Sequence, residues 1–175
     1  LKPSSIFLNH NKEFDKVKKY WIDKLGRIKV KTPDDSFNAM LNGWYLYQTI
    51  SSRLKAKAGF YQVGGAFGFR DQLQDATNIV MVDEERTKAQ IIENAKHQFM
   101  QGDVLHWWHE IIMMGLRSRF KDDYLWLVYS VNKYVKTSGD YKFVDEEVPF
   151  INGQQLDIDE AERGITYNYT KEKAT

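Results

Sequence analysis

The sequence predicts an all-α fold of about five helices with few short strands, because apolar residues recur at helical spacing in most segments. Helix start and stop residues bracket these segments. Candidate extended pieces are short by comparison and include 28–31, 143–144 and 148–151. Together these observations favour helices that pack mainly on one another.

The first helix is predicted from Phe14, Val17 and Leu25, which lie on one helical face, and Gly26 follows as a stop. Residues 28–31 form a short extended link. Thr32 is expected to cap the second helix, with Pro33 at its first position and acidic residues in its first turn. One apolar stripe then follows: Phe37, Met40, Leu41, Trp44, Tyr47 and Ile50.

Three further helices are predicted downstream of a glycine-rich stretch. The first carries Leu73 and Val80, and the second starts at Asp83 as its cap. The third opens at Asp122 or Asp123, contains a strongly apolar run, and ends at Gly139. Periodicity fades after this glycine, and the polar tail from Thr170 is expected to fray.

Composition excludes several classes of function. The formal net charge is +1 without a basic block, which argues against nucleic acid as a partner. The chain has no cysteine, so disulfides and thiolate metal sites are excluded. The sequence lacks an apolar run long enough to span a membrane, and a cytoplasmic setting is expected. Aromatic residues reach 14%, which favours a core of large side chains over a sugar-stacking surface.

A glycine-rich segment, 64–75, is the first candidate site. It lacks the Gly-Lys-Ser/Thr of a phosphate-binding loop and the preceding strand of a dinucleotide fingerprint. It places four polar residues at the start of a helix: Arg70, Asp71, Gln74 and Asp75. Two interpretations stay open here, a helix cap with an Arg–Asp pair and a polar ring that binds sugar hydroxyls.

Two more clusters are candidates. His106–His109 has two His residues three apart but no convincing third ligand, so a loop packed by Trp107 and Trp108 is favoured over a metal site. Residues 117–123 place Arg117 and Arg119 ahead of paired Asp residues. This pattern suits either an anion site or a partly buried ion network, and the network is favoured.

These clusters, taken in order, resemble glycoside hydrolase family 94. That family holds cellobiose and chitobiose phosphorylases and the phosphorylase-like domain of cyclic β-1,2-glucan synthases. The resemblance covers nearly the whole chain. It is carried by five ordered blocks: 40–48, 60–75, 98–104, 106–109 and 117–127.

The resemblance implies a segment of an (α/α)6 barrel. Residues 1–31 would then be a linker helix and extended link, and 32–175 would be the partial barrel. The implied reaction is inverting phosphorolysis, in which inorganic phosphate cleaves a β-glucosidic bond and gives a sugar 1-phosphate. Inorganic phosphate is the co-substrate, and no cofactor is expected. The implied partners are a β-linked glucose disaccharide or oligosaccharide and, as a further expectation, a second copy of the chain.

The family's general acid is an Asp in a Gly-Asp-Trp-Asn-Asp-Gly-like motif, which this sequence does not contain. No catalytic residue is therefore assigned, and the isolated chain is expected to be inactive. The alternative is a non-catalytic or decayed helical sugar-binding module. It is motivated by Gly43, where the family usually has Arg, and by 110–114, which replaces a Pro- and Gly-rich loop.

The resemblance also implies a set of binding residues. Asp71 matches the family Asp that contacts the donor sugar. Lys57 lies where the family usually has an Arg that contacts phosphate or that sugar, and Lys lacks the bidentate fork. The remaining substrate-binding candidates match motif positions: Arg70, Gln74, Asp75, Trp107, Trp108, Arg119 and Asp122.

Overall fold

The structure is a computed structural model that describes residues 10–56 and 65–175. The chain divides into two compact units, one ending at Gln48 and the other comprising Thr49–Thr175. The division expected at residues 31 and 32 stays a prediction.

The first unit is helical. It contains α1 (His10–Leu25), α2 (Asp35–Ala39), a π-helical turn (Met40–Trp44) and α3 (Tyr45–Gln48). The ring centroids of Trp21 and Tyr47 lie 4.8 Å apart, and Asn42 exchanges two hydrogen bonds with the backbone of Val30. Asp34, rather than Thr32, caps α2, because its carboxylate accepts the backbone N–H of Phe37.

The second unit contains a π-helical segment and three longer helices. The π-helical segment is Thr49–Lys55, and the helices are α4 (Phe69–Thr77), α5 (Glu84–Ala95) and α6 (Asp123–Ser138). These three helices pack on one another, and a 3-10 turn follows at Tyr141–Asp145. Asp83 caps α5 as predicted, and Gly139 ends α6 with a φ of 77°.

A five-stranded antiparallel sheet completes the described part of the second unit. Its strands are β1 (Phe67–Gly68), β2 (Leu105–His109), β3 (Met114–Ser118), β4 (Val148–Gly153) and β5 (Glu162–Ala174). The spatial order is β1-β2-β3-β5-β4, and every neighbouring pair is antiparallel. α4 packs against β1 and β2, whereas α5 packs against β4.

The prediction of an all-α fold is therefore wrong for this chain. The prediction of a segment built only of (α/α)6-barrel helices is wrong for the same reason. In β2 a bulge separates the buried residues Leu105 and Trp108 by three positions, which hides the two-residue alternation of a strand. In β5 the buried Ile165 and Tyr167 do alternate with exposed neighbours. The tail beyond Thr170 continues as strand instead of fraying, because β4 pairs with it up to Ala174.

Trp108 lies at the centre of the core and is 0% exposed. Its ring stacks on Phe67 at 5.4 Å and on His97 at 4.0 Å. His97 Nδ1 donates to the Glu93 carbonyl at 2.8 Å, so Nε2 is left to accept from the hydroxyls of Tyr167 and Tyr169, each at 3.2 Å. Burial lowers the pKa of His97 to about 4, so the ring is neutral at pH 7.

Gly115 is required by the close pairing of β2 and β3. A Cβ built there would lie 2.6 Å from the Trp107 carbonyl oxygen and 3.0 Å from Leu105 Cδ1. We expect Gly115→Ala to lower the free energy of unfolding by about 2 kcal/mol, measured by urea denaturation. Gly164→Ala is the matched control on β5, where nothing lies within 4 Å, and it should stay within about 0.5 kcal/mol of the native chain. Equal losses in both variants would contradict this account.

His97 should make stability depend on pH. Its ordinary pKa of 6.5 applies to the unfolded chain, and its folded pKa is about 4, so between these values the unfolded chain binds more protons. Stability should thus be fully present above pH 6.5 and fall as pH drops towards 4, by up to about 3 kcal/mol. In His97→Gln this part of the pH slope should vanish, whereas His10→Gln, which removes an exposed ring, should keep it. An unchanged slope in His97→Gln would refute the prediction.

Candidate functional site

The candidate site lies where the N-termini of α4 and α6 meet. β1 runs directly into α4. Phe67 pairs with Trp108 and Gly68 with Trp107, and the next residue, Phe69, begins α4 and is buried. This arrangement leaves Arg70 and Asp71 half-buried in the first turn of α4. Asp122 and Asp123 occupy the start of α6. Carboxylates at both ends are favoured by the positive helix termini.

Arg70 joins the two helix ends. Its Nη1 donates to Asp122 Oδ2 at 2.8 Å, and its Nε lies 3.7 Å from Asp71 Oδ1. The hydrogen bond from Arg70 lowers the pKa of Asp122, and the same bond raises the pKa of Arg70. Both side chains are more than a third exposed, so the pair orders the site more than it stabilises the fold.

Asp75 lies one helical turn after Asp71 and is nearly buried. Arg53 Nε donates to its Oδ2 at 2.8 Å, yet burial raises the pKa of Asp75 despite this partner. Asp75 therefore anchors α4 to the Thr49–Lys55 segment, which agrees with a supporting role. Gln74 is exposed.

An aromatic hollow of about 260 Å³ opens beside Asp122. Leu125, Trp126 and Tyr129 line the rest of it, and the two aromatic rings meet edge to face with centroids 5.4 Å apart. Sequence reasoning missed Trp126 and Tyr129 as site residues because they belong to the apolar pattern that predicts α6. The sequence signal was their spacing, because Trp126 lies four residues after Asp122 and Tyr129 four residues after Leu125 on the same helix face.

The two adjacent tryptophans have different environments. Trp108 has Phe67 on one face and His97 on the other and is fully buried. A sugar ring cannot stack on it in this structure, and its substrate-binding role is corrected to a core role. Trp107 points to the other side of β2 and is half-buried, so its proposed role stays open to test.

Arg117 forms the buried ion network that the sequence favoured, but its partner is Asp103 rather than the Asp pair that follows it. The guanidinium makes two hydrogen bonds to that carboxylate, at 2.6 and 2.7 Å. Its remaining donors reach the carbonyls of Gly153 and Gln154 and the side-chain oxygen of Gln101, and it stacks on Phe99. These bonds tie β3 to the loop after β4.

Arg119 lines a polar cleft of about 450 Å³ together with Arg117 and Tyr124. Its guanidinium donates to the carbonyls of Asp157 and Glu160 at 2.9 and 2.8 Å. The structure joins Arg70, Asp71 and Asp122 directly, whereas Arg119 is held by these carbonyls. Lys57 and Gly64 lie outside the described residues.

Across residues 10–56 and 65–175, no cluster of three or more His, Asp or Glu side chains could hold a metal ion. None of the helices in these ranges combines the length and apolar character needed to cross a bilayer.

The comparisons with known proteins agree with the motifs. The chain is 43% identical to cyclic beta-(1,2)-glucan synthase NdvB of Rhizobium meliloti (strain 1021) over 141 residues, which is 81% of this chain and 5% of that protein. It is 27% identical to N,N'-diacetylchitobiose phosphorylase of Vibrio proteolyticus over 178 residues, or 86% of this chain and 22% of that enzyme. Solabiose phosphorylase of Paenibacillus borealis is 34% identical over 126 residues, 71% of this chain and 15% of the enzyme.

The chain thus spans between 5% and 22% of the length of these relatives. The model of the glycosyl hydrolase 94 superfamily catalytic domain matches residues 20–171. This match confirms the resemblance drawn from the five sequence blocks, and the chain belongs to the glycosyl hydrolase 94 superfamily.

Proposed function

We propose that this chain supplies part of the donor-sugar site of a phosphorylase that cleaves a β-glucosidic bond with inorganic phosphate and releases a sugar 1-phosphate. The observation that carries the proposal is the Arg70 bridge, which holds the carboxylates of Asp71 and Asp122 beside an aromatic hollow. Carboxylates accept hydrogen bonds from sugar hydroxyls, and a guanidinium donates to hydroxyl oxygens. Aromatic rings bury the apolar face of a pyranose.

The carboxylates favour sugar over phosphate at this cluster. Within the described residues, Asp71 and Asp122 lie 3.7 and 2.8 Å from the Arg70 guanidinium. Carboxylates repel an anion and suit a neutral ligand rich in hydroxyl groups. The phosphate of the proposed reaction would therefore be held by other groups, Lys57 being the candidate from the family pattern.

The reaction needs one acid, because phosphate is already a nucleophile and only the leaving oxygen must be protonated. A hydrolase of the inverting type needs a second carboxylate to activate water. Asp71 and Asp122 are tied to a cation, which keeps Asp122 ionised and suits it to accept rather than to donate protons. The cluster is thus proposed to bind the sugar rather than to supply the acid.

A non-catalytic sugar-binding module is the second candidate. The observation that favours it is the turn between β2 and β3, where Ile111 is 98% exposed and Met113 takes a positive φ of 49°. This turn replaces the Pro- and Gly-rich loop of the family pattern. A module of this kind would bind sugar through the same Asp71 cluster without turnover.

Asp71→Asn should weaken sugar binding by this chain. The amide keeps the shape of the side chain but loses a charged acceptor, so affinity for cellobiose should fall about tenfold or more, measured by calorimetry. Asp159→Asn is the matched control, because Asp159 is exposed and lies outside the cluster. Equal affinity in the native chain and Asp71→Asn, or no binding by the native chain, would contradict the proposed site.

The 175-residue chain should bind sugar without turning it over. Incubation with glucose 1-phosphate and glucose should release no phosphate, because the chain lacks the family's general-acid motif. Phosphate release is followed with a colorimetric assay, with a mock preparation carried through the same purification as the control. Release above the mock, lost in Asp71→Asn, would show that the acid lies within these residues.

A further inference from the structure

His106 occupies the extra position of a β-bulge next to the candidate site. In the pairing of β2 with β3, Leu105 faces Arg117 and Trp107 faces the next residue, Leu116, so His106 has no partner of its own. Bulges of this kind redirect a side chain and are frequent beside active sites. Here the bulge turns the imidazole away from the core face of Trp108 and towards the start of α6.

The imidazole is held by a buried carboxylate. His106 Nδ1 donates to Asp123 Oδ2 at 2.7 Å, and Asp123 is 1% exposed. The Phe120 ring supports the imidazole from 4.6 Å. Because the carboxylate engages Nδ1, Nε2 is the ring nitrogen that remains for a ligand. Within the described residues Nε2 makes no hydrogen bond, and one fifth of the side chain is exposed.

Asp123 has more acceptor capacity than its partner uses. Its Oδ1 is fully buried and has no hydrogen-bond partner in the described part of the chain. A buried carboxylate with an unpaired oxygen is costly for the fold, and stability alone does not explain it. The dyad lies beside the Arg70–Asp122 pair, because Asp123 directly follows Asp122 at the start of α6.

We propose that His106 Nε2 accepts a hydrogen bond from a hydroxyl of the pyranose that Asp71 contacts, and that Asp123 is the positioning residue that fixes the imidazole for this contact. The inference rests on the proposed sugar site and assigns it an imidazole acceptor. Such an acceptor distinguishes a hydroxyl from an ionised phosphate oxygen, because only the hydroxyl can donate. His106 would therefore add selectivity for sugar to the cluster.

Two substitutions distinguish a contact between His106 and the sugar from a role of His106 in stabilising the fold. His106→Asn keeps an amide donor for Asp123 but has no acceptor at the place of Nε2, whereas His106→Gln keeps an amide near that place. We expect His106→Asn to weaken cellobiose binding about three- to tenfold and His106→Gln to retain most of it. Urea unfolding of both variants is measured alongside, and His10→Asn is the control for loss of an exposed ring.

Nitrogen-detected NMR of the imidazoles gives a readout that a structural role would not produce. In the native chain His106 should show a protonated Nδ1 and an Nε2 resonance that shifts on addition of cellobiose, while the His10 resonances stay fixed. Asp123→Asn should weaken the preference for the tautomer protonated on Nδ1 and reduce the shift of the Nε2 resonance on addition of cellobiose. A fixed Nε2 resonance during saturation with sugar overturns the proposal.

The outcomes separate this inference from the proposed function. Binding that is lost in Asp71→Asn but unchanged in His106→Asn leaves the sugar site standing and refutes only the role of His106. Absence of binding by the native chain refutes both. Equal losses of binding and stability in His106→Asn and His106→Gln would mark a purely structural dyad and refute the contact.

Discussion

The positions of Asp71 and His106 depend on the stack that encloses Trp108. Phe67, two residues before α4 begins, covers one face of the indole. His97, two residues after α5 ends, covers the other face. The indole itself belongs to β2, so a single buried contact fixes two helices relative to the sheet. Asp71 lies four residues after Phe67, and His106 lies two residues before Trp108. The core therefore sets the geometry of the polar cluster without contributing an atom to it.

The polar cluster combines features that a stable fold alone would not select. Two helix N-termini bring the carboxylates of Asp71 and Asp122 to the guanidinium of Arg70, and the positive helix ends also stabilise these carboxylates. Arg70 is exposed enough that water screens its ion pairs, so the cluster adds little to the free energy of unfolding. Arg117 shows the contrasting case, because it is buried and all of its nitrogens are used within the protein. Arg117 maintains the fold, whereas Arg70 remains accessible to a ligand.

The sequence predicts the helices and the family, but not the sheet. Asp83 and Gly139 act locally, through a side-chain cap and a left-handed backbone, so their roles can be read from a few neighbouring residues. The outer partners of β2 and β3 are β1 and β5, which lie far along the chain, and the bulge at His106 removes the alternation that would reveal β2 as a strand. The family motifs do place Arg70, Asp71 and Asp122 correctly at helix starts. Their contact could not be read from the sequence, because the Arg70–Asp122 bond joins residues fifty-two positions apart.

Strand pairing also determines the environments of Trp108 and His106. The family resemblance implies a sugar-binding role for both tryptophans, but pairing with β1 places Trp108 against Phe67 and turns Trp107 to the opposite side. The bulge that hides the strand is also the feature that takes His106 out of the ladder and points it at Asp123. A regular strand at this position would place His106 opposite a β3 residue and break its contact with α6. The β-bulge, which hides β2 in the sequence pattern, is thus also the physical reason that the His106 imidazole reaches the candidate site.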